Sequence, residues 1–373
     1  MEESAYDPLR GIRNPGDERV DVALWGTVFL DIIFTGLDSR PTDGTEVMAS
    51  GMGSCPGGIA NLAVATSRLG LRTALSAAFA EDYYGDFCWE TLGEEGVRLA
   101  SSRRYGQWHS PLTVSYAYSG DRSMVTHAHR PPGYADDPVP PPPAARAVIA
   151  DLGSPEVRDP AGLAWLRGAR DQGSLIFADL GWDSTGAWSP EMIDPLDLCY
   201  AFLPNADEAM AYTRTDTPQD ALYALADRVP LAVVTNGPHG ALAIDSATGE
   251  EVSVPSLRVS ALDATGSGDV FGAALATGTL AGWRLPDRVA FAALCAGLAV
   301  QQFGGSLAAP GWGDIADWWH RVRDGEGRTS YDLAVRRRYG FLEDIVPTVP
   351  VGAVHRAQAT IARRADVGHH AQA

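Results

Sequence analysis

Two hydrophobic rhythms alternate along the chain. Segments 20–26, 147–153, 174–179, 199–203 and 231–235 are short, nearly continuous apolar runs. Segments 57–70, 85–95, 163–170, 221–227 and 287–303 instead carry helix formers, several with apolar residues on one stripe. Strands apolar on both faces, separated by helices, predict a parallel sheet covered on both sides. Segment 72–80 adds another strand. Two regions break the rhythm. Residues 32–52 alternate loosely around Pro41 and Gly44, which predicts short strands away from the main sheet. Residues 112–118 and 122–130 are β-rich arms about the turn Ser119-Gly120-Asp121, a hairpin within 105–132. Residues 131–143 are proline-rich and predict a loop.

The most informative stretch is Asp263-Ala264-Thr265-Gly266-Ser267-Gly268-Asp269. A strand-like segment, 252–259, precedes it, and the apolar helix formers of 270–276 follow. A turn of small residues that opens a helix presents unpaired backbone N–H groups and the positive end of the helix dipole to an anion. A carboxylate there repels a phosphate, unless it removes a proton from the hydroxyl that attacks that phosphate. The plainer reading, an acidic residue in a helix's first turn, is common. Other candidates lie at element ends. Asp31 follows the first strand, and in open α/β sheets that edge binds ligands; a loop or cap position is the plainer reading. Gly57-Gly58 opens a helix whose first turn carries Asn61. Asn205 and Glu208 follow the strand at 199–203; they fit a capping box, and equally a water-mediated Mg²⁺ site. Thr235, Gly237 and Gly240 follow another strand, where a nucleotide can lie against glycine, or where a tight turn is needed. His127 and His129 share a strand face by the period of two, but with no third ligand nearby in sequence they favour an exposed or substrate-facing pair over a metal site.

Composition narrows the chemistry. The chain of 373 residues has a net charge of −18, which argues against nucleic-acid and anionic-membrane partners. It contains no lysine, so a P-loop is excluded and phosphate must be held by backbone N–H groups, arginine or metal. Cys55, Cys88, Cys199 and Cys295 are widely spaced, which predicts neither disulfides nor a zinc site and fits a reducing cytoplasm. No opening signal segment and no membrane-length apolar run is expected, and the predicted location is cytoplasmic.

These motifs together resemble the ribokinase-like (PfkB) carbohydrate kinase family. The resemblance rests on the Gly-Gly segment 57–70, on 263–269, on Asn205/Glu208 and on Gly26–Asp31, and it spans about residues 20–312. It implies an α/β fold: a doubly wound, mostly parallel central sheet with helices on both faces and a small β-sheet lid. The expected organisation is a polar tail (1–18), a kinase domain (19–324) with its lid from about 32–52 and 105–132, and a C-terminal extension (325–373). The implied activity is ATP-dependent phosphorylation of a sugar or polyol hydroxyl. By position, Asp269 is the implied base. Gly266, Ser267 and Gly268, within the 264–268 turn, form the implied anion hole. Asp31, Gly57, Gly58 and Asn61 contact acceptor hydroxyls. Asn205, Thr235, Gly237, Gly240 and Thr265 bind nucleotide. Glu208 holds Mg²⁺ through water, and Asp263, with Thr265 and the loop 303–306, falls where many members bind a monovalent cation such as K⁺.

The chain departs from the family pattern in places. The glycine pair sits one residue closer to Asn61, Ala264 replaces a hydroxyl residue, and Asp179-Leu180-Gly181-Trp182 replaces Asp-Pro-Asn. The family's asparagine in the helix after 263–269 has no counterpart in 292–296. A nucleoside kinase is the nearest alternative, with Phe34, Trp108 and Tyr116 as candidate base platforms. A non-catalytic sugar-binding regulator is another, and a dinucleotide oxidoreductase is disfavoured because Gly51-x-Gly53-x-x-Pro56 breaks its fingerprint. A homodimer through exposed lid edges is a further expectation.

Overall fold

The computed structural model describes residues 6–14, 16–118, 121–302, 305–325, 327, 329–347 and 354–357. The first strand, β1 (Val20–Trp25), leads into β2 (Val28–Leu37) and β3 (Ala49–Gly58), and β3 runs directly into helix α1 (Ile59–Arg68). Next come β4 (Thr73–Ser76), β5 (Ala78–Ala80), α2 (Tyr83–Glu94), β6 (Arg103–Tyr105), β7 (Leu112–Tyr118) and β8 (Asp121–His127). The α/β alternation then resumes with β9 (Ala145–Asp151), α3 (Pro155–Arg158), α4 (Pro160–Asp171), β10 (Leu175–Asp179), β11 (Ala201–Phe202), α5 (Ala206–Thr213), α6 (Pro218–Ala226) and β12 (Leu231–Thr235). The chain closes with β13 (Ala241–Asp245), β14 (Glu250–Val254), α7 (Ser267–Leu280), α8 (Leu285–Ala299), α9 (Trp312–Asp324) and α10 (Ser330–Arg338).

Eight strands form the main sheet in the order β14-β13-β12-β11-β10-β9-β1-β4. The six strands from β12 to β4 are parallel, whereas β13 and β14 are antiparallel additions at one edge. Alternating residues of one strand feed opposite cores: Val22 and Leu24 pack with α1, α7 and α8, while Ala23 and Trp25 pack with α4, α5 and α6. The chain steps from β1 to β4 on one side and later to β9 on the other. The switch point therefore lies between β1 and β9, where an α/β sheet opens a crevice beyond its strand ends. A second sheet, ordered β3-β2-β7-β8, stands apart as the lid.

Several expectations are revised. Asp31 is not in a loop after the first strand; it lies within lid strand β2, paired with Cys55 of β3, and is only 6% exposed. The lid arm is longer than 32–52, because β2 and β3 stay hydrogen-bonded from Val28–Gly58 to Leu37–Ala49. The strand at 72–80 is two strands in different sheets, β4 in the main sheet and β5 paired with β6. The hairpin of β7 and β8 is present, with its turn residues Ser119 and Gly120 outside the described residues. No strand leads straight into 263–269: β14 ends at Val254, and an irregular segment covers the distance. Strand β13, which the apolar pattern did not single out, pairs β12 with β14.

Both ends of the described chain are docked on this frame. Leu9 is fully buried, Tyr6 packs edge-on against Trp312, and Arg13 pairs with buried Asp21 (Nη2–Oδ2 2.6 Å). Beyond residue 324, Val335, Tyr339 and Leu342 are buried in the α7–α8 core. The Tyr331 hydroxyl accepts from Arg258 N (2.8 Å) and Arg338 donates to the Pro255 carbonyl (2.7 Å), so this extension fastens the irregular segment ahead of 263–269. All four cysteines are free and buried. Among the described residues no helix is long and apolar enough to cross a membrane.

A buried tie between distant segments is made by Arg68, at the C-terminal end of α1 and fully buried. Its Nε and Nη2 donate to the two carboxylate oxygens of Glu95 (2.8 and 2.7 Å), and its Nη1 donates to the carbonyls of Leu307 and Ala309 (2.9 and 2.6 Å). Although burial alone would raise it, the Arg68 guanidinium and His355 hold the Glu95 carboxyl down at about 2. Arg68→Met leaves that buried carboxylate with only His355 as a partner (3.5 Å), and the expected loss is about 3–5 kcal/mol in chemical denaturation. Because the folded value lies below the unfolded one, the pair's contribution is complete above pH ~4.5 and disappears as pH falls toward 2. The gap between wild type and variant should therefore shrink in that acid window.

Candidate active site

A cleft of about 700 Å³ opens at the switch point, between the C-terminal ends of the parallel strands and the lid. Its lining includes Asp31, Gly58, Asn61, Asn205, Glu208, Thr235, Thr265, Gly266, Gly268 and Asp269. Residues spread over more than 200 positions in sequence are thus brought to one surface. Gly57, Asp263, Ser267, Gly237 and Gly240 lie outside that lining.

The centre of the site is the meeting of two helix starts. Gly266 caps α7 in the left-handed region (φ 73°), which glycine adopts without strain. A Cβ there would stand 3.2 Å from the Asn61 side chain, so glycine also permits the close approach of α1. Asp269, in the first turn of α7, accepts a 2.8 Å hydrogen bond at Oδ2 from Nδ2 of Asn61. Asn61 itself is 4% exposed, so its amide is aimed by packing rather than by solvent. Ser267 shapes the turn: its N–H and its hydroxyl both donate to the Ala264 carbonyl (3.2 and 2.9 Å).

The other predicted residues divide by role. Gly57 sits where a Cβ would run into the Asp31 carboxylate, so its smallness makes room for Asp31 rather than for a ligand directly. Gly58 does line the cleft, at φ 62°, and begins α1 as its N-cap. Asn205 and Glu208 form a full capping box on α5, with Glu208 N donating to Asn205 Oδ1 (2.9 Å) and Asn205 N donating to Glu208 Oε2 (3.0 Å). Both still face the cleft. Gly240 is accounted for by packing, since at φ 94° a Cβ would meet the Val254 carbonyl of β14. Gly237 turns the chain at φ 48°.

The 263–265 turn has a feature of its own. Asp263 Oδ1 accepts from Thr265 N (2.9 Å), but Asp263 Oδ2 and Thr265 Oγ1 are buried with no hydrogen-bond partner among the described residues. Two buried oxygens, one of them a carboxylate's, fit a cation, because an unpaired polar atom is costly away from water. Gly305 and Ser306 adjoin this region, with Ser306 Oγ donating to the Pro56 carbonyl (2.5 Å); Phe303 and Gly304 lie outside the described residues.

The cleft also holds residues to which motif reasoning assigned no role. Asp151 and Asp179 are register partners at the ends of parallel strands β9 and β10. Burial, and after it the Asp179 carboxylate, push the Asp151 carboxyl up to about 7, and burial raises Asp179 too. An aspartate at the C-terminal end of a parallel strand is a readable signal. Thr113 and Thr126, facing each other across the lid hairpin (Oγ1–Oγ1 3.1 Å), give the cleft two hydroxyls. Trp182 also lines it, 63% exposed and edge-on to Trp188. Phe34, Trp108 and Tyr116, the expected aromatic platforms, are not in the lining; Trp108 is buried with Tyr105 and Tyr134.

The model of the family described as pfkB family carbohydrate kinase matches residues 21–311. A ribokinase from Bacillus subtilis (strain 168) is 25% identical over 295 residues, 78% of this chain and 96% of that protein. A nucleoside kinase from Methanothermobacter thermautotrophicus (strain ATCC 29096 / DSM 1053 / JCM 10044 / NBRC 100330 / Delta H) is 26% identical over 313 residues, covering 80% and 94% respectively. Among solved structures, a ribokinase from Cryptococcus neoformans var. grubii serotype A in complex with ADP superposes with a TM-score of 0.66 at 19% identity, over 80% of this chain and 99% of that one.

The raised Asp151 carboxyl gives a test in the protein without ligand. A carboxyl whose folded value exceeds its unfolded one favours the fold below pH ~4, and that contribution is lost as pH rises toward 7. Asp151→Asn removes the titration. The stability of the variant relative to wild type should therefore increase from pH 4 to pH 7 and level off above it, as read from urea midpoints across that range.

Proposed function

Since the chain belongs to the pfkB family of carbohydrate kinases, and so is a phosphotransferase with an alcohol group as acceptor, we propose that it transfers the γ-phosphoryl group of ATP to a hydroxyl, a primary alcohol, of a sugar or polyol. The observation that carries this reading is the Asp269 carboxylate, oriented by Asn61 at the start of α7. In this reading Asp269 takes the proton from the acceptor hydroxyl, and the N–H groups of Gly266 and Gly268 at the start of α7 receive the transferred group. Ser267 keeps the turn in shape. Asp31, seated over Gly57, and Asn61 hold acceptor hydroxyls beside Gly58. Thr113 and Thr126 make the lid face polar, which favours a hydroxyl-rich acceptor over a nucleobase.

The nucleotide occupies the end of the cleft lined by Asn205, Thr235 and Thr265, with Gly237 and Gly240 shaping the turn behind it. A relative in fold holds ADP, in line with a nucleotide as the donor. Glu208 and Asn205 would hold Mg²⁺ through water, and the ion would neutralise charge on the phosphates. Asp263 and Thr265 would hold a monovalent cation such as K⁺, whose charge would answer the buried carboxylate oxygen. A lid over the acceptor keeps water from competing for the phosphoryl group. The nucleoside kinase reading retains one favourable feature, the exposed Trp182 in the lining.

Two variants test these roles in an assay of ADP release across sugars, polyols and nucleosides. Asp269→Asn is expected to lower turnover by roughly 10²–10⁴-fold while acceptor binding persists. Near-wild-type turnover would reject Asp269 as the base. Asp31→Ala is expected to raise KM for the acceptor and leave KM for ATP unchanged; an unaltered acceptor KM would remove Asp31 from the binding site. Absence of turnover with every acceptor would favour a sugar-binding protein without catalysis.

A further inference from the structure

A cluster of imidazoles lies on the lid, outside the cleft. His127 and His129 were a pair lacking a third ligand in sequence. The fold supplies one, His109, from the loop before β7. One ring nitrogen from each of the three lies within 4.8 Å of the other two. The Nε2 atoms of His109 and His129 are 3.0 Å apart, and the His109 and His127 rings stack with centroids 5.1 Å apart at 20°. All three side chains are exposed. Met124 and Thr126 line the cleft, so by strand alternation His127 belongs to the opposite face of the lid.

The hydrogen bonds around the cluster assign its protons. Nδ1 of His109 lies 3.3 Å from the Ser110 carbonyl, and Nδ1 of His129 lies 3.0 Å from the Arg130 carbonyl. A carbonyl can only accept, so each Nδ1 carries the hydrogen of its contact, and the two Nε2 atoms are left to share a proton or a metal ion. Two bare lone pairs would repel at 3.0 Å, so the contact is satisfied by a proton on one ring or by a metal ion bound to both. A backbone carbonyl on the far nitrogen is also how proteins orient histidine ligands. The supporting chain is held in place. Ser110 N and Oγ donate to Asp82, the N-cap of α2 (2.8 and 2.7 Å), and Trp108 Nε1 donates to the His129 carbonyl (3.0 Å).

We propose that His109, His127 and His129 bind one late first-row divalent transition metal, with Zn²⁺ the candidate, on the outer face of the lid. Zinc takes imidazole nitrogen at about 2.0–2.1 Å, which sets nitrogens around a tetrahedral ion about 3.3 Å apart. The His109–His129 pair is already near that spacing, and rotation of exposed rings brings in the third. Three protein ligands leave a fourth position for water. The ion ties the loop at 106–111 to the end of β8, the edge strand of the lid, from the side away from the acceptor. The chain's net charge of −18 favours cation capture generally, so the test must separate this site from others.

The experiment titrates chelator-treated full-length protein, without nucleotide, with Zn²⁺ by calorimetry and with Co²⁺ by visible absorption. The expected result is one equivalent at the lid and the d–d bands of a four-coordinate cobalt ion. His109→Ala, His127→Ala and His129→Ala should each weaken binding by more than the roughly 10–100-fold that loss of an orienting partner costs. All three positions are exposed, and unchanged circular dichroism would show that the variants fold. A His369→Ala/His370→Ala double variant should bind as wild type does. Three results would overturn the proposal: no metal uptake, so that the cluster shares only a proton; affinity unchanged by loss of His109; or binding lost with His369 and His370 instead.

Discussion

The hydrogen bond from Asn61 to Asp269 is a 2.8 Å contact between the first turns of two helices 208 positions apart, and the cleft is arranged around it. It demands that α1 and α7 approach closely. Gly266 and Gly305 both abut the Asn61 side chain, and a Cβ on either would stand only 3.2–3.3 Å from it, tighter than an ordinary contact. The far end of the same helix is fixed by Arg68, whose guanidinium holds Glu95 on one side and the carbonyls of 307 and 309 on the other. Helix α1 thus packs against Gly305 at its start and is hydrogen-bonded to residues 307 and 309 at its end. A displacement of that segment would move Asn61, and with it the Asp269 carboxylate. Fold stability and site geometry are here parts of one network.

Charge sets a second constraint. The cleft lining carries six acidic side chains, Asp31, Asp151, Asp179, Asp183, Glu208 and Asp269, and no arginine. The chain has no lysine. A polyphosphate in such a cleft cannot rely on basic side chains, so its charge falls on helix N-termini and bound cations. The partnerless oxygens of Asp263 and Thr265 add to that demand. Burial raises the Asp151 and Asp179 carboxyls, which lessens the negative charge of the lining when they are protonated.

The sequence made the parallel core legible because its strands are apolar on both faces and its helices carry a repeating stripe. The turn at 263–269 became legible only together with Asp31, Gly57-Gly58, Asn61 and Asn205/Glu208, because an acidic residue in a helix's first turn is common by itself. Asp31 was misplaced for a physical reason: Gly26-Thr27 after an apolar strand reads as a loop, whereas the chain crosses at once into the lid, a choice made by pairing with β3 and β7. Strand β13 was overlooked because Ala241–Asp245 is short and sits behind a glycine turn; only its partners β12 and β14 define it. Neither the Asp151–Asp179 pairing nor the approach of His109 to His129 has a local signature. Each is a matter of register between segments that the sequence does not juxtapose.

That register also bears on which carboxylate serves as base. By acidity alone Asp151 is attractive, since a carboxyl near 7 suits proton transfer at neutral pH. Geometry takes precedence over acidity. In phosphoryl transfer the base and the groups that stabilise the phosphoryl oxygens must converge on a single acceptor oxygen. In the proposed reading Asp269 meets this within one helical turn, because its carboxylate and the N–H groups of Gly266 and Gly268 belong to the same helix start. Asp151 belongs to the sheet, its Oδ1 already accepts from Gly153 N (2.8 Å), and its closest charged neighbour is another carboxylate. Its raised value reflects burial first and the neighbouring Asp179 carboxylate second, so it is no sign of a base, and the proposed proton-accepting role stays with Asp269.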